Sequence, residues 1–238
     1  MNKFLSFLAC LLILVSCSPK ITTSISKNYG ALSYEEEVRV LSIQDTEPNN
    51  AELLGTVKIG DAGFTIDCNL SVVVDKAKIE ARKIGGNAIK ITKHSPPNFW
   101  GSSCHRITAN ILKVDNWNNY IAVTADSALI DADYALLHVY RHSGGGVLVN
   151  YDLHLGDTVI CRAQNKWKET VKIHKDGLNT LWARTEAKAE IPINIKFGNE
   201  YYIRCSLTTG FLVGHPQLEL VENTIGRMEF QSIPEKKQ

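Results

Sequence analysis

Ser71-Val72-Val73-Val74-Asp75-Lys76-Ala77-Lys78-Ile79-Glu80-Ala81-Arg82-Lys83-Ile84-Gly85-Gly86 is the stretch on which the fold turns. Val74, Ala77, Ala81 and Ile84 recur at steps of three and four, the spacing that puts side chains on one face of a helix. The paired glycines supply the stop. On either side the pattern changes to strands. Residues 38–43 alternate, Glu47-Pro48-Asn49-Asn50 is a turn signal, and residues 53–59 form a second strand that ends at Gly60-Asp61-Ala62-Gly63. Strands at 88–92 and 106–114 flank the loop Ser95-Pro96-Pro97-Asn98-Phe99-Trp100-Gly101. A single helix covers only one face of such a sheet, so residues 35–114 are expected to form a small two-layer ββαββ domain.

The pattern lapses at Asp115-Asn116-Trp117-Asn118-Asn119, and residues 115–131 read as a linker. Residues 132–232 then carry strand signals at 134–141, 147–153, 158–162, 169–174, 179–184, 191–197, 201–207, 217–221 and 227–231. Turns at Gly156-Asp157, Asp176-Gly177 and Gly198-Asn199 separate several of them, since Gly and Asn tolerate positive φ. Short strands at this spacing predict an antiparallel β-sandwich, with 233–238 as a tail. The expected class is α+β, a ββαββ unit followed by a sandwich.

The amino terminus has a different character. Met1-Asn2-Lys3 precedes an apolar run over 4–15. That run is shorter than the roughly 20 residues needed to span a bilayer. Leu14-Val15-Ser16-Cys17 resembles the lipobox of bacterial lipoproteins. The resemblance implies that residues 1–16 are a signal peptide, that Cys17 is the lipidated residue, and that 17–34, rich in Ser, Thr and Lys, is a tether. Removing 16 residues from 238 leaves 222, enough for two modest domains. It also removes Lys3, so 26 basic against 25 acidic residues becomes 25 against 25. A balanced charge gives no support for a nucleic-acid partner.

Cys10 departs with the signal and Cys17 is taken by lipid, which leaves Cys68, Cys104, Cys161 and Cys205. An even number in an exported chain points to disulfides. The favoured pairing is Cys68 with Cys104 and Cys161 with Cys205, each inside one domain; the alternative is buried thiols acting as small hydrophobes.

Leu54-Gly55-Thr56-Val57, Cys68, Ala77, Ala81, Gly85-Gly86-Asn87-Ala88-Ile89 and Cys104 resemble the signalling domain of the outer-membrane lipoprotein that senses stress for the Rcs phosphorelay. The likeness covers residues 34–114. It implies bridged cysteines and a sensing role, although that domain has two disulfides and only Cys68 and Cys104 are present here. Residues 132–230, with Ala135-Leu136-Leu137-His138-Val139-Tyr140-Arg141, Gly198-Asn199-Glu200-Tyr201-Tyr202-Ile203-Arg204 and Gly226-Arg227-Met228-Glu229-Phe230, resemble a family of uncharacterised exported bacterial domains, which implies no activity.

Few residues suggest chemistry. His138 and His142 share strand parity and, with Asp152 or His154, would make an imidazole and carboxylate metal set; the plainer reading is strand residues. Cys104 and His105 are adjacent and so point to opposite faces, poorly placed for proton exchange. Gly144-Gly145-Gly146 leads into a strand rather than a helix, so it reads as a flexible hairpin and not a phosphate loop. Trp182 reads as core. Phe99 and Trp100, in a Pro-bounded loop, are candidates to anchor a protein or glycan partner. Asp126-Ser127-Ala128 resembles a short O-glycosylation acceptor motif.

The expected protein is therefore a lipid-anchored envelope module that binds or senses a protein or glycan, with no catalytic residues, metal or cofactor. A hydrolase with a site assembled from distant residues, or a structural subunit of a surface assembly, are the rivals. Ser18 in place of Asp favours the outer membrane, and the lack of an acidic run over 18–24 favours a periplasmic face.

Overall fold

The computed structural model describes residues 19–61, 68–97, 102, 104–118, 120, 129, 131–208, 210–211 and 213–235. Helix α1 (Leu70–Lys83) forms where the periodicity places it. The Asn69 side chain caps it by accepting from the Val72 N–H at 3.0 Å, which satisfies one of the amides a helix start leaves unpaired. Leu70, Val73, Val74, Ala77 and Ala81 form its buried face. At its end Gly85 has φ +84°, and a Cβ there would lie 2.8 Å from the Gly30 carbonyl oxygen, so only glycine fits.

The helix packs on a five-stranded sheet. Strands β1 (Lys20–Ile25), β2 (Arg39–Leu41), β3 (Ala51–Gly60), β4 (Ala88–Ser95) and β5 (Arg106–Val114) lie in the order β1-β3-β5-β4-β2. Six residues of the expected tether, Lys20 to Ile25, therefore need correction to strand. β1 pairs antiparallel with β3 from Lys20 opposite Gly60 to Ile25 opposite Gly55. Its Ser and Thr content reads as a flexible linker, yet Thr and Ile also suit an exposed edge strand. Thr23 Oγ1 donates to Glu80 Oε2 at 3.0 Å and fastens the edge to α1. The unit is βββαββ rather than ββαββ. Within the expected linker, Trp117 and Tyr120 pack against Leu41, Ala88, Leu112 and Val114.

The second half contains β6 (Ala135–Arg141), β7 (Tyr151–Leu155), β8 (Thr158–Ala163), β9 (Trp167–Ile173), β10 (Gly177–Arg184), β11 (Lys188–Ile195), β12 (Glu200–Thr208) and β13 (His215–Val221). They make two four-stranded sheets, β11-β10-β7-β8 and β13-β12-β6-β9, that share one apolar core. The sandwich is not wholly antiparallel, because β6 and β12 run parallel at the centre of their sheet. The chain between them passes through the other sheet, and so long a connection leaves both directions open.

The last expected strand, 227–231, is instead part of helix α2 (Asn223–Ser232). Met228 and Phe230 alternate with polar residues, but so short a window fits either period, and Ile225, Met228 and Glu229 supply the helical face. Glu222 caps it, accepting from Thr224 N at 2.9 Å and Ile225 N at 3.1 Å. Gly226 lets it lie close on β12: a Cβ there would sit 2.3 Å from that of Tyr202. Ile225, Met228 and Ile233 join Tyr140, Tyr202 and Val221 in the core of the first unit, so that core draws on both halves while the sandwich keeps its own. The expected tail thus begins inside the core at Ile233.

A disulfide joins Cys68 to Cys104. Cys161 and Cys205, expected to bridge, are separate buried thiols. They sit on β8 and β12, in opposite sheets. Their sulfurs are not bonded, and each thiol packs as a small apolar group in the sandwich core. Among the described residues no helix is long and apolar enough to cross a membrane.

Ala81 is fully buried against the sheet. Ala81→Leu is expected to cost about 1–3 kcal/mol by overpacking, while the exposed Lys83→Ala changes stability by less than about 0.5 kcal/mol. Urea denaturation of the two variants measures the difference.

Candidate functional site: an inter-domain cleft beside a buried histidine cluster

Two features lie where the halves meet. The first is a cleft of about 800 Å³. One wall is built by β2, whose short parallel pairing with β4 carries residues 37–45 to the surface. Buried Lys90 holds that wall from behind: its Nζ donates to the Ser42 carbonyl at 2.5 Å, the Ile43 carbonyl at 3.0 Å and the Asp45 carbonyl. Burial lowers the Lys90 pKa, with Asp45 and Glu47 opposing the shift. Three carbonyl dipoles are the compensation a buried ammonium needs.

Arg39, Trp117 and Tyr120 line the same side, with the Arg39 guanidinium 4.5 Å from the centre of the Trp117 ring. Among the described residues, the buried Tyr120 hydroxyl has no hydrogen-bond partner. The far wall comes from the second half, with Glu200, Glu222 and Arg227. Arg227 Nη2 donates to Glu200 Oε2 at 3.2 Å, and the Tyr202 hydroxyl donates to the same oxygen at 3.1 Å. The cleft thus offers two rings and paired charges to a polar ligand.

The second feature lies deeper. His94 on β4, His105 just before β5, and His142 just after β6 converge with Glu229 of α2. His94 Nε2 and His105 Nδ1 are 2.8 Å apart. His105 and His142 meet edge to face with centroids 5.4 Å apart. His105 Nε2 lies 3.7 Å from Glu229 Oε1. One ligand-capable atom each from His105, His142 and Glu229 all fall within 4.8 Å of one another. The backbone of His105 is held too, its N–H donating to the Cys68 carbonyl at 3.1 Å beside the disulfide.

Glu229 is completely buried and fully engaged. The Tyr140 hydroxyl donates to Oε2 at 2.6 Å, Arg204 Nη1 donates to Oε1 at 2.8 Å, and the Leu70 backbone N–H also bonds the carboxylate. Burial raises the Glu229 pKa above the ordinary carboxyl value, against the opposing pull of Arg204 and Tyr140. With a guanidinium in contact and three donors aimed at it, the carboxylate is the form these neighbours select. Burial brings His94 and His142 down to about 4, and His105 to about 2, with neighbouring imidazoles and Arg204 adding to the last.

These placements redistribute the residues singled out by sequence. His138 and His142 do not meet: His138, in the middle of β6, stacks on Tyr202 and pairs through Nδ1 with Thr170 Oγ1 at 2.9 Å. Asp152 pairs with Arg162 at 3.2 Å and His154 stacks on Trp182 at 3.8 Å, both on the other sheet. Cys104 is a disulfide partner and so has no thiolate to offer beside His105. The Gly144 to Gly146 loop is fastened rather than flexible, because buried Arg141 donates to the carbonyls of Gly145 at 2.9 Å, Gly146 at 2.8 Å and Val149 at 2.6 Å. Cys17, Phe99, Trp100 and residues 126–128 lie outside the described residues. Missed altogether were the cleft, Tyr140, Arg204 and Glu229; the one available cue was an acid between Met228 and Phe230. No protein-family model, curated protein or solved structure matches the chain.

The three imidazoles tie stability to pH. Each has a folded pKa below its ordinary 6.5, so on acidification the unfolded chain binds protons first. Stability is complete above about pH 6.5 and is lost as pH falls toward 4, by on the order of 1 kcal/mol per unit for each group. Denaturation midpoints are expected to drop steadily from pH 7 to 5, and less steeply in His142→Asn. An identical slope in the variant would remove His142 from the explanation.

Proposed function

We propose that this chain is a lipid-anchored envelope protein that acts without catalysis, binding or sensing a glycan or peptide partner in the cleft between its halves. The observation that carries this reading is the cleft itself, which takes the Trp117 and Tyr120 rings from one side and charged groups from both. Aromatic rings flanked by charged groups suit a polar ligand with apolar faces. The anchor rests on the lipobox-like sequence ending in Cys17, and the outer membrane with a periplasmic face remains the expected address.

A hydrolase would need convergent titratable groups within reach of a substrate. Such groups do converge at His105, His142 and Glu229, but Glu229 and His105 are buried and none of the three lines the cleft. That separation favours binding over turnover.

A photocrosslinking amino acid placed at Arg39 or Tyr120 in living cells is expected to capture an adduct, glycan or protein, that the same probe at exposed Leu178 does not. Trp117→Ala is expected to reduce that capture several-fold with the fold intact by circular dichroism. Equal adducts from all three positions, or none from the cleft, would overturn the reading.

A further inference from the structure

We propose that His105, His142 and Glu229 form a three-ligand site for a divalent transition cation, zinc foremost, which would pin the first unit to the second. His105 comes from the α+β unit, His142 from the sandwich and Glu229 from α2. One ion would therefore touch three separate parts of the chain. This inference does not depend on what the cleft binds.

Four observations support it. Two imidazoles and one carboxylate, with a fourth position open to water, are a donor set that zinc accepts. Ligands on a tetrahedral ion at about 2.0–2.2 Å lie roughly 3.3–3.6 Å apart. The His105 to Glu229 gap of 3.7 Å is nearly there, and the span of the set, within 4.8 Å, closes by about 1 Å of side-chain rotation. Next, His142 Nε2 is buried and has no hydrogen-bond partner, a cost that coordination would remove.

Third, His94 stands where an orienting partner belongs. When His105 Nδ1–H donates to His94 Nε2 at 2.8 Å, the bare Nε2 of His105 faces Glu229. His94 is thus a positioning residue and not a ligand. Fourth, the local charge leaves room for a cation. Arg204 is the one strong positive group against Glu229, and it is also gripped by Glu219 through Nε at 3.2 Å and Nη2 at 2.7 Å. Two carboxylates against one guanidinium leave a single negative charge for the ion. An imidazole is ordinarily neutral at pH 7, the state in which it donates a lone pair. His94 and His142 are only half-buried, so an ion has a route inward.

The test uses the whole soluble chain from residue 18, stripped with a chelator, then titrated with Zn²⁺ by calorimetry and with Co²⁺ by visible absorption. One ion per chain is expected, with Co²⁺ showing the intense ligand-field bands of a low-coordinate site. His142→Ala is expected to weaken binding at least 100-fold, and His94→Gln about 10- to 100-fold with stoichiometry kept. His174→Ala, at an exposed histidine, should change nothing. Glu229→Gln tests the third ligand where circular dichroism shows a native fold, and His142→Ala decides the matter where it does not. Absence of stoichiometric binding by the native chain, or binding unchanged in His142→Ala, would overturn the proposal.

Discussion

The carboxylate of Glu229 is the constraint on which the arrangement of the two halves depends. It is sealed from solvent, and four elements supply its environment: β6 through Tyr140, β12 through Arg204, α1 through the Leu70 amide, and α2, which carries it. A buried carboxylate stripped of such partners costs several kcal/mol. The alternatives to the observed packing are therefore penalised wherever they separate any of these elements. Arg204 needs the pair equally, since Glu219 and Glu229 together offset its own burial. Apolar area alone would let α2 slide along β12; the polar contacts fix one position.

That position explains why the core of the first unit takes residues from both halves. Gly226 lets α2 come down onto Tyr202, Ile225 and Met228 reach the core of the first unit, and the amino end of α1 meets the carboxylate. The disulfide lies at the same place in the first unit, so the segment before β5 is held covalently and His105 inherits its rigidity. Rigid support on one side and a hydrogen-bonded hub on the other leave the three imidazoles little freedom. The cleft has a comparable device in Lys90, whose amine holds its wall from within.

Local sequence pattern revealed what is local. The spacing of Val74, Ala77, Ala81 and Ile84 gave α1, and Val, Ile and Tyr runs between turns gave most strands. It failed where one short window supports two periods, as in 227–231, and where polar composition hid an edge strand, as in 20–25. The site was legible only in fragments. His142 stood out, but its companions His105 and Glu229 lie 37 and 87 residues away, and no periodicity encodes a meeting at that distance. The Cys161 and Cys205 pairing went astray for a related reason, since an even count of thiols says nothing of whether two of them reach bonding geometry.

Strand β1 carries one more implication. Under the proposed anchor, lipid sits on Cys17 and the folded body starts at Lys20. A chain stretches by at most about 3.6 Å per residue, so this leash measures roughly 10 Å, far less than the 30 Å hydrocarbon core beneath it. Such a protein would not sweep the space above the bilayer. It would stay close to the headgroups, with the end of the sheet where β1 begins nearest the lipid.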